Sequence, residues 1–250
     1  GADMGIEQRP ERLGIAGFQR PEGKVPAEVA VEQRAAVIAC QPVGENRAPG
    51  FGVALLILGV GPEMRAMGVG DGHQVVVYDT HGLFSAARVW WLFKLMGQND
   101  VAVLDGGLPK WVSEGRETED MEPIIRDRHM TVRRQAHMVK DVTQVSAASK
   151  LGDYEILDAR SPARFRGEEP EPREGLRSGH IPGSKNVHYR ELMNEDGTMK
   201  DPDGLRAVLD AAGIINLALE RIGKTDHALY DGSWTEWGAF GTVPVATGDE

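Results

Sequence analysis

The stretch of sequence that decides the fold is QVVVYDTHGLFSAARVWWLFKLMGQNDVAVLDGGLPKW, residues 74–111. Val75–Tyr78 is a short apolar, β-branched run that is typical of a strand buried on both faces. Ser85 is placed to cap a helix, and apolar residues at helical spacing lead from it to Gly97, a residue suited to a helix end. A second strand is predicted at Val101–Leu104. Strand, helix and strand joined by short turns predict a parallel sheet with a right-handed crossover.

The same unit returns near the C-terminus in a shortened form. The second copy is NLALERIGKTDHALYDGSWTEW, residues 216–237, and its matches lie 126 positions after their counterparts. Sequence similarity at a fixed spacing indicates a structural repeat. The matched residues are Gly97, Asp100, Ala102, Asp105, Gly106 and Trp111 in copy one, and Gly223, Asp226, Ala228, Asp231, Gly232 and Trp237 in copy two.

Upstream of this match the spacing between the copies is longer. Met64–Val69 (MRAMGV) matches Leu209–Ile214 (LDAAGI) at a spacing of 145 positions, against 126 further along the chain. Copy two therefore lacks about 19 residues after Ile214, judged by the internal repeat. The counterpart of the missing piece is Gly70–Arg88, which contains the first strand of copy one, its loop and the start of its helix.

Length and composition indicate a globular protein of one large or two small domains, and the repeat favours two. The 250 residues carry a net charge of −10, which counts against a nucleic-acid partner. A single cysteine, Cys40, excludes an internal disulfide and a four-cysteine zinc site, and the seven histidines lack the spacing of metal ligands. We expect no cofactor and no metal.

Hydropathy favours a soluble, cytoplasmic protein. The longest apolar run, Val53–Val60, is too short to cross a bilayer. The first residues, GADMGIEQRPERLG, lack the apolar core of a secretory signal. The expected partners are small molecules, with no nucleic acid and no membrane.

Changes in composition divide the chain into four parts. In the first part, Val29–Cys40 is interpreted as a short helix or strand and Val53–Val60 as an apolar strand. In the last part we predict a helix at Thr143–Lys150, a buried strand at Tyr154–Asp158 and a further helix at Pro202–Ala212. A short strand is also predicted at Asn186–His188. The four parts are an unassigned segment at residues 1–60, a partial first domain at 61–115, a charged surface linker at 116–141 and a second domain at 142–250.

Three segments of the second domain, ILDARSPARFRG, SGHIPGSKN and ALYDGSWTEW, resemble the second half of a tandem rhodanese-type sulfurtransferase. This is the family of thiosulfate and 3-mercaptopyruvate sulfurtransferases. VVVYDTHGLFSAARVWW and VLDGGLPKW look like the late part of the first, non-catalytic domain of such proteins. The resemblance implies an α/β fold of two rhodanese-like domains, each a parallel sheet flanked by helices. Both domains are expected to be incomplete here.

The resemblance also implies a reaction. In the family, a cysteine thiolate at the end of the central strand of domain two attacks the sulfane sulfur of thiosulfate or 3-mercaptopyruvate. The resulting persulfide passes its sulfur to a thiol or to cyanide. In this chain the strand and loop for that cysteine fall in the segment missing after Ile214, and residues 41–250 contain no cysteine. Residues 1–60 likewise show neither the strand nor the HIPG segment that should open domain one.

Three hypotheses follow from this departure. The chain is a truncated form of a sulfurtransferase, a non-catalytic rhodanese-like binding or regulatory protein, or a broken gene product without a stable fold. The gaps themselves are either real or the result of a frame or gene-model error.

By the same resemblance, Arg164 and Arg173 match two arginines that hold the carboxylate of mercaptopyruvate. A guanidinium fork suits a carboxylate because two parallel N–H groups can meet its two oxygens. The alternative is that both are solvated charges beside the acidic residues Glu168, Glu169 and Glu174. We expect them at a substrate-binding site.

The remaining polar candidates are assigned structural roles. Cys40 follows an apolar run, as a loop nucleophile would, but Pro42 offers no N–H and Glu45 would repel an anion, so an inert thiol is favoured. Turn or surface positions are predicted for the others, namely Asp158, His180, Asp105, Asp231 and His81.

Overall fold

A computed structural model describes residues 15–17, 25–26, 35–40, 64–65, 68–80, 83, 85–119, 126, 128–209 and 216–249, with the backbone alone before residue 64 and at residue 119. Val53–Val60, His81 and the junction after Ile214 lie outside these residues. No helix in the described part of the chain is both long and apolar enough to cross a membrane.

The described strands are β1 (Ile15–Gly17), β2 (Val25–Pro26), β3 (Ala35–Cys40), β4 (Gln74–Asp79), β5 (Val101–Val103), β6 (Thr118–Glu119), β7 (Val139–Lys140), β8 (Ile156–Asp158), β9 (Ser184–Asn186) and β10 (Leu229–Tyr230). The α-helices are α1 (Ala86–Leu95), α2 (Gly107–Ser113), α3 (Val142–Leu151), α4 (Pro162–Arg166), α5 (Pro202–Leu209), α6 (Asn216–Arg221) and α7 (Ser233–Trp237). Short 3₁₀ turns occur at Ala136–Met138 and Tyr189–Leu192.

The first domain is built on a parallel sheet in the order β1–β3–β4–β5. Strand β4 is hydrogen-bonded on both sides, and Val75 and Val77 are fully buried, as the apolar run predicts. Strand β3 pairs with β4 along its whole length, from Ala35 opposite Gln74 to Cys40 opposite Asp79. The expectation that residues 1–60 lack a strand of this domain is therefore wrong, because the apolar run AAVIAC provides one.

Helix α1 begins where the sequence predicts, but its capping side chain is a different residue. Ser85 has helical backbone angles and its side chain accepts no capping hydrogen bond. The capping group is the buried carboxylate of Asp79, at the end of β4, which accepts from the N–H groups of Ser85 at 2.7 Å and Ala86 at 2.9 Å and from the Ser85 hydroxyl at 3.1 Å. Gly97 ends the helix as predicted, with a positive φ of 86°.

Described residues of the segment 116–141 contact the first domain. Backbone N–H groups of Arg133 and Gln135 donate to the carbonyls of Met96 and Leu95, both at 2.8 Å. Thr131 donates through its N–H and its hydroxyl to Asp71, and these hydrogen bonds lower the pKa of that exposed carboxyl. The linker then enters the second domain as strand β7.

The second domain contains two separate strand pairs instead of one sheet. Strand β7 pairs with β10, and β8 pairs with β9, all in parallel. In the repeat, α6, β10 and α7 correspond to α1, β5 and α2, so the place that corresponds to β4 lies between β8 and β10. No strand of the described chain occupies that place.

Element boundaries in the second domain shift from their predicted positions. Helix α3 begins one residue earlier than predicted and has a capping box between Asp141 and Gln144. Strand β8 is shorter than predicted and only half-buried, and among the described strands it pairs with β9 alone. Strand β9 lies two residues before the predicted Asn186–His188, and α5 is described as far as Leu209.

The two domains pack together through the repeated helices. Trp90, Trp91 and Leu95 of α1 are buried against a group of side chains that includes Leu217 of α6 and Leu229 of β10. This apolar contact places the first domain beside the unpaired edge region of the second.

Charged pairs add to the contact between the domains. The repeat-related Asp105 and Asp231 lie in turns, as predicted, but each carboxylate also pairs with an arginine of the other domain, Asp105 with Arg221 and Asp231 with Arg88. The sequence does not show this second role, because the two arginines are not related by the repeat.

Candidate functional site

The candidate site is formed where strand β8 ends and helix α4 begins. Pro162 occupies the first turn of α4, a position at which its missing N–H costs nothing. The short turn before it carries Arg160 next to Asp158, and α4 presents Arg164 one turn later. This end of a parallel strand is a usual place for binding residues in an α/β domain.

Arg160 is the most connected side chain of the site. Its Nε lies 3.0 Å from both carboxylate oxygens of Asp158, and its two terminal nitrogens donate to Glu171 and to the carbonyl of Gly179, each at 2.7 Å. The guanidinium also lies 4.3 Å from the ring centre of Trp234. Only 11% of its side chain is exposed. The sequence alone does not single it out, since nothing in ILDAR distinguishes it from a surface arginine.

Arg164 shares Glu171 with Arg160. Its Nε and one terminal nitrogen donate to the two carboxylate oxygens of Glu171, whose side chain is 2% exposed. The predicted alternative, a solvated charge beside Glu168, Glu169 and Glu174, does not describe it, because its partner is the buried Glu171. Arg164 is part of the lining of a large cavity.

Arg173 is exposed and contacts a residue of the cavity lining without being part of the lining itself. One of its terminal nitrogens donates to the Thr235 hydroxyl at 2.9 Å, and Thr235 lines the cavity together with Arg164. The structure therefore brings both predicted arginines to one region, although the residues are nine positions apart and separated by a Pro-rich loop.

The cavity has a volume of about 1580 Å³ and lies between the two strand pairs of the second domain. Strand β8 contributes to one side and strand β10 to the other, with Trp91 of the first domain and Trp234 of α7 also in the lining. Burial raises the pKa of the Tyr230 phenol, which therefore stays protonated at physiological pH. Within the described chain the cavity lies between β8 and β10, where copy one has β4 between β3 and β5.

His180 and Asp158 have structural roles, as predicted. The His180 ring is buried and stacks on Phe165 with 3.8 Å between ring centres. Its Nδ1 lies 2.8 Å from the Phe165 carbonyl, so Nδ1 carries the proton, since a carbonyl only accepts. Gly179 before it has a φ of 120°, and a Cβ there would lie 2.2 Å from the Ala246 carbonyl oxygen. Both features hold the turn before β9.

The described lining of the cavity contains arginine side chains but no nucleophilic thiol. The only cysteine, Cys40, ends β3 in the first sheet, opposite Asp79. Nucleophilic sulfur chemistry needs a thiol, which the described strands around the cavity do not supply.

Two α/β domains related by a repeat, with a cluster of arginines at the strand ends of the second, define a rhodanese-like class of protein. The protein-family model for the rhodanese-like domain matches residues 60–114 and 141–240 of the sequence. The chain belongs to the rhodanese-like family.

Its relatives include sulfurtransferases. The 3-mercaptopyruvate sulfurtransferase of Escherichia coli is 36% identical over 200 residues, covering 73% of this chain and 71% of the relative. The mitochondrial thiosulfate/3-mercaptopyruvate sulfurtransferase 1 of Arabidopsis thaliana is 36% identical over 219 residues, covering 72% of this chain. The chain spans 58% of the length of that relative and 64% of a second Arabidopsis sulfurtransferase.

A solved structure shows the same fold. The crystal structure of SseA from E. coli, a 3-mercaptopyruvate sulfotransferase, superposes with a TM-score of 0.66 at 27% identity and covers 89% of this chain and 92% of that protein.

Proposed function

We propose that the protein is a sulfurtransferase of the thiosulfate/3-mercaptopyruvate type that is inactive in sulfur transfer in the form described here. The reaction proposed for the complete type moves sulfane sulfur from thiosulfate or 3-mercaptopyruvate to a thiol or cyanide through a cysteine persulfide. Support comes from the family membership and from the activities of the relatives. The cytoplasm is the proposed compartment, since a chain with one cysteine cannot form the internal disulfide that an oxidising compartment would favour.

One observation carries the proposal of inactivity. Strands β8 and β10 pair with β9 and β7 and not with each other, and a cavity of about 1580 Å³ lies between them. The strand end that would hold a thiolate against backbone N–H groups is therefore not formed by the described chain. Without those groups a thiolate has no preorganised stabilisation.

Two arginines of the site are proposed to bind the sulfur donor. Arg164 and Arg173 offer N–H groups beside the cavity, where a carboxylate such as that of 3-mercaptopyruvate would be neutralised. Arg164 is already partly neutralised by Glu171, so Arg173 is the stronger candidate for the first contact with the ligand. Arg160 positions Glu171 and the strand end and is not proposed to touch the donor.

The protein is expected to produce no thiocyanate from cyanide with either thiosulfate or 3-mercaptopyruvate. The reason is the absent cysteine loop, and the measurement is thiocyanate formation compared with a protein-free blank. The matched control is Cys40→Ser, which should give the same result as the unchanged chain. Turnover above the blank that disappears in Cys40→Ser would show that Cys40 is a nucleophile and would contradict the proposal.

The proposed roles of the two arginines are tested in a variant whose strand and cysteine loop are restored after Ile214. Arg164→Ala and Arg173→Ala are each expected to lower kcat/KM for 3-mercaptopyruvate by roughly 10- to 100-fold, the equivalent of about 1.5–3 kcal/mol for a charge-assisted hydrogen bond. Arg166→Ala is the control, because Arg166 pairs with the exposed Glu168. Unchanged kcat/KM in both test variants would remove them from the site.

A second candidate function, non-catalytic binding, is favoured by the cavity itself. The large space lined by apolar side chains and arginines is suited to a ligand even without a nucleophile. Saturable binding of 3-mercaptopyruvate with no sulfur transfer would favour this candidate. A chain without a cooperative thermal transition would instead favour the third hypothesis, a product with no stable fold.

A further inference from the structure

The repeat gives a direct comparison of one position in the two domains. In copy one, β4 is hydrogen-bonded to β3 on one side and to β5 on the other. In copy two, β8 and β10 take the places of those neighbours, and within the described chain each has a partner strand on its far side only. Two parallel edges with unpaired backbone groups therefore border the same cavity. Unpaired strand edges are templates for a further strand.

The apolar side chains at these edges are less covered than those of β4, the strand that fills the same position in copy one. Val75 and Val77 of β4 are fully buried, whereas Ile156 and Leu157 of β8 and Leu229 of β10 are only half-buried. These three apolar side chains belong to the cavity lining. Covering them would remove apolar surface from water, which favours binding.

A buried donor also borders the cavity without a partner. Trp91 is 3% exposed and lines the cavity, and its indole N–H has no hydrogen-bond partner among the described residues. The side-chain amide nitrogen of Asn216, in the same lining, is also buried without one. Buried N–H groups are normally satisfied, so these two call for acceptors such as peptide carbonyls.

We propose that this cavity is an acceptor site for a β-strand supplied by another polypeptide. The ligand is an extended, mainly apolar and β-branched peptide of five or six residues that lies parallel to β8 and β10. Gln74–Asp79 (QVVVYD) shows the required type of strand, since it fills the same position in copy one. Strand addition of this kind gains affinity from main-chain hydrogen bonds and specificity from alternate side chains.

The charges around the cavity fit a strand with little net charge. Basic and acidic side chains in the lining nearly balance, and the arginines nearest β8 are neutralised by Asp158 and Glu171. A strongly charged segment would find no net opposite charge in the cavity lining to attract it. The lining residues with charge are Arg88, Lys140, Arg160, Arg164, Arg190 and Lys224 on the basic side, and Asp153, Glu155, Asp158, Glu171 and Asp226 on the acidic side.

The test uses the full chain and a fluorescein-labelled, end-blocked peptide with the sequence HQVVVYDT, residues 73–80. We expect saturable binding at one peptide per chain in fluorescence anisotropy. Hydrogen exchange of amides in Ile156–Asp158 and Leu229–Tyr230 should slow at least tenfold in the complex. No saturable binding, or binding that leaves those amides unchanged, would overturn the proposal.

Two matched peptides separate strand pairing from general apolar adhesion. In the first peptide, N-methylation at the residues equivalent to Val75 and Val77 removes hydrogen bonds along one edge. In the second peptide, N-methylation at the residues equivalent to Val76 and Tyr78 removes hydrogen bonds along the other edge, because alternate N–H groups point to opposite sides. Each is expected to weaken binding at least tenfold, and a scrambled peptide of equal composition should not protect the two strands. Equal binding of all four peptides would contradict the assigned site.

The same experiment distinguishes a second copy of the chain as the occupant. If the chain self-associates at these edges, sedimentation velocity will show a dimer that dissociates as the peptide is added, and the assignment of a separate peptide ligand fails. The readouts require no sulfur transfer, so failure of the sulfurtransferase proposal leaves this test intact.

Discussion

Replacing Arg160 with alanine is expected to destabilise the second domain by about 3–5 kcal/mol, the range for removing one partner of a buried ion pair. Arg160 contacts Asp158, Glu171 and the Gly179 carbonyl and covers the face of Trp234. Its loss leaves the nearly buried Glu171 with Arg164 alone and leaves Asp158 without its guanidinium partner. The measurement is denaturant unfolding of the whole chain, followed by tryptophan fluorescence.

The matched control for this effect is Arg166→Ala. Arg166 is two residues beyond Arg164 and pairs with Glu168, whose side chain is 56% exposed. Exposed pairs of this kind contribute about 0–1 kcal/mol, so the control should unfold close to the unchanged chain. Equal midpoints for the two variants would show that the buried cluster around Arg160 does not stabilise the domain.

The second large effect is expected from Asp79→Ala in the first domain. The carboxylate is fully buried and accepts from two backbone N–H groups at the start of α1 and from one hydroxyl. Removing the carboxylate leaves those three donors unsatisfied. The free energy of unfolding is expected to fall by about 3 kcal/mol, because an unsatisfied donor costs about 1–3 kcal/mol and these donors are taken at the lower end of that range.

Ser85→Ala is the control for Asp79→Ala, because it removes a single hydrogen bond to the same carboxylate and should cost about 1 kcal/mol or less. Asp79→Asn, which keeps an acceptor oxygen, should fall between the two. If Ser85→Ala were as destabilising as Asp79→Ala, the serine side chain would be the true cap of the helix and our assignment of Asp79 would be wrong.

The parts of the fold that depend on local pattern could be predicted from the sequence. The buried strand at Val75–Tyr78 and the glycine stop at Gly97 are encoded by residues within one or two turns of where they act. The shortening of the second copy is visible in the sequence for a different reason, namely that the two copies can be counted against each other. Strand β3 lies within Val29–Cys40, which the sequence left open between a helix and a strand because that segment has no sustained periodicity.

The candidate site was predictable only in part. Arg164 and Arg173 are placed by motif position, but their partners Glu171 and Thr235 are set by how the Pro-rich loop and α7 fold together. Arg160 carries no sequence signal, since its importance comes from burial against Trp234, which lies 74 positions away. Pairings between distant residues are the information that a single sequence does not contain.

The central claim is that the second domain lacks the strand between β8 and β10, and native-state hydrogen exchange of the free chain tests it most directly. Amides in Ile156–Asp158 and in Ala228–Tyr230 are expected to exchange about a hundredfold or more faster than those in Val75–Tyr78, because unpaired edges open locally without global unfolding. Protection of those two segments equal to that of Val75–Tyr78 would mean that the sheet is closed without its central strand, and would contradict the account.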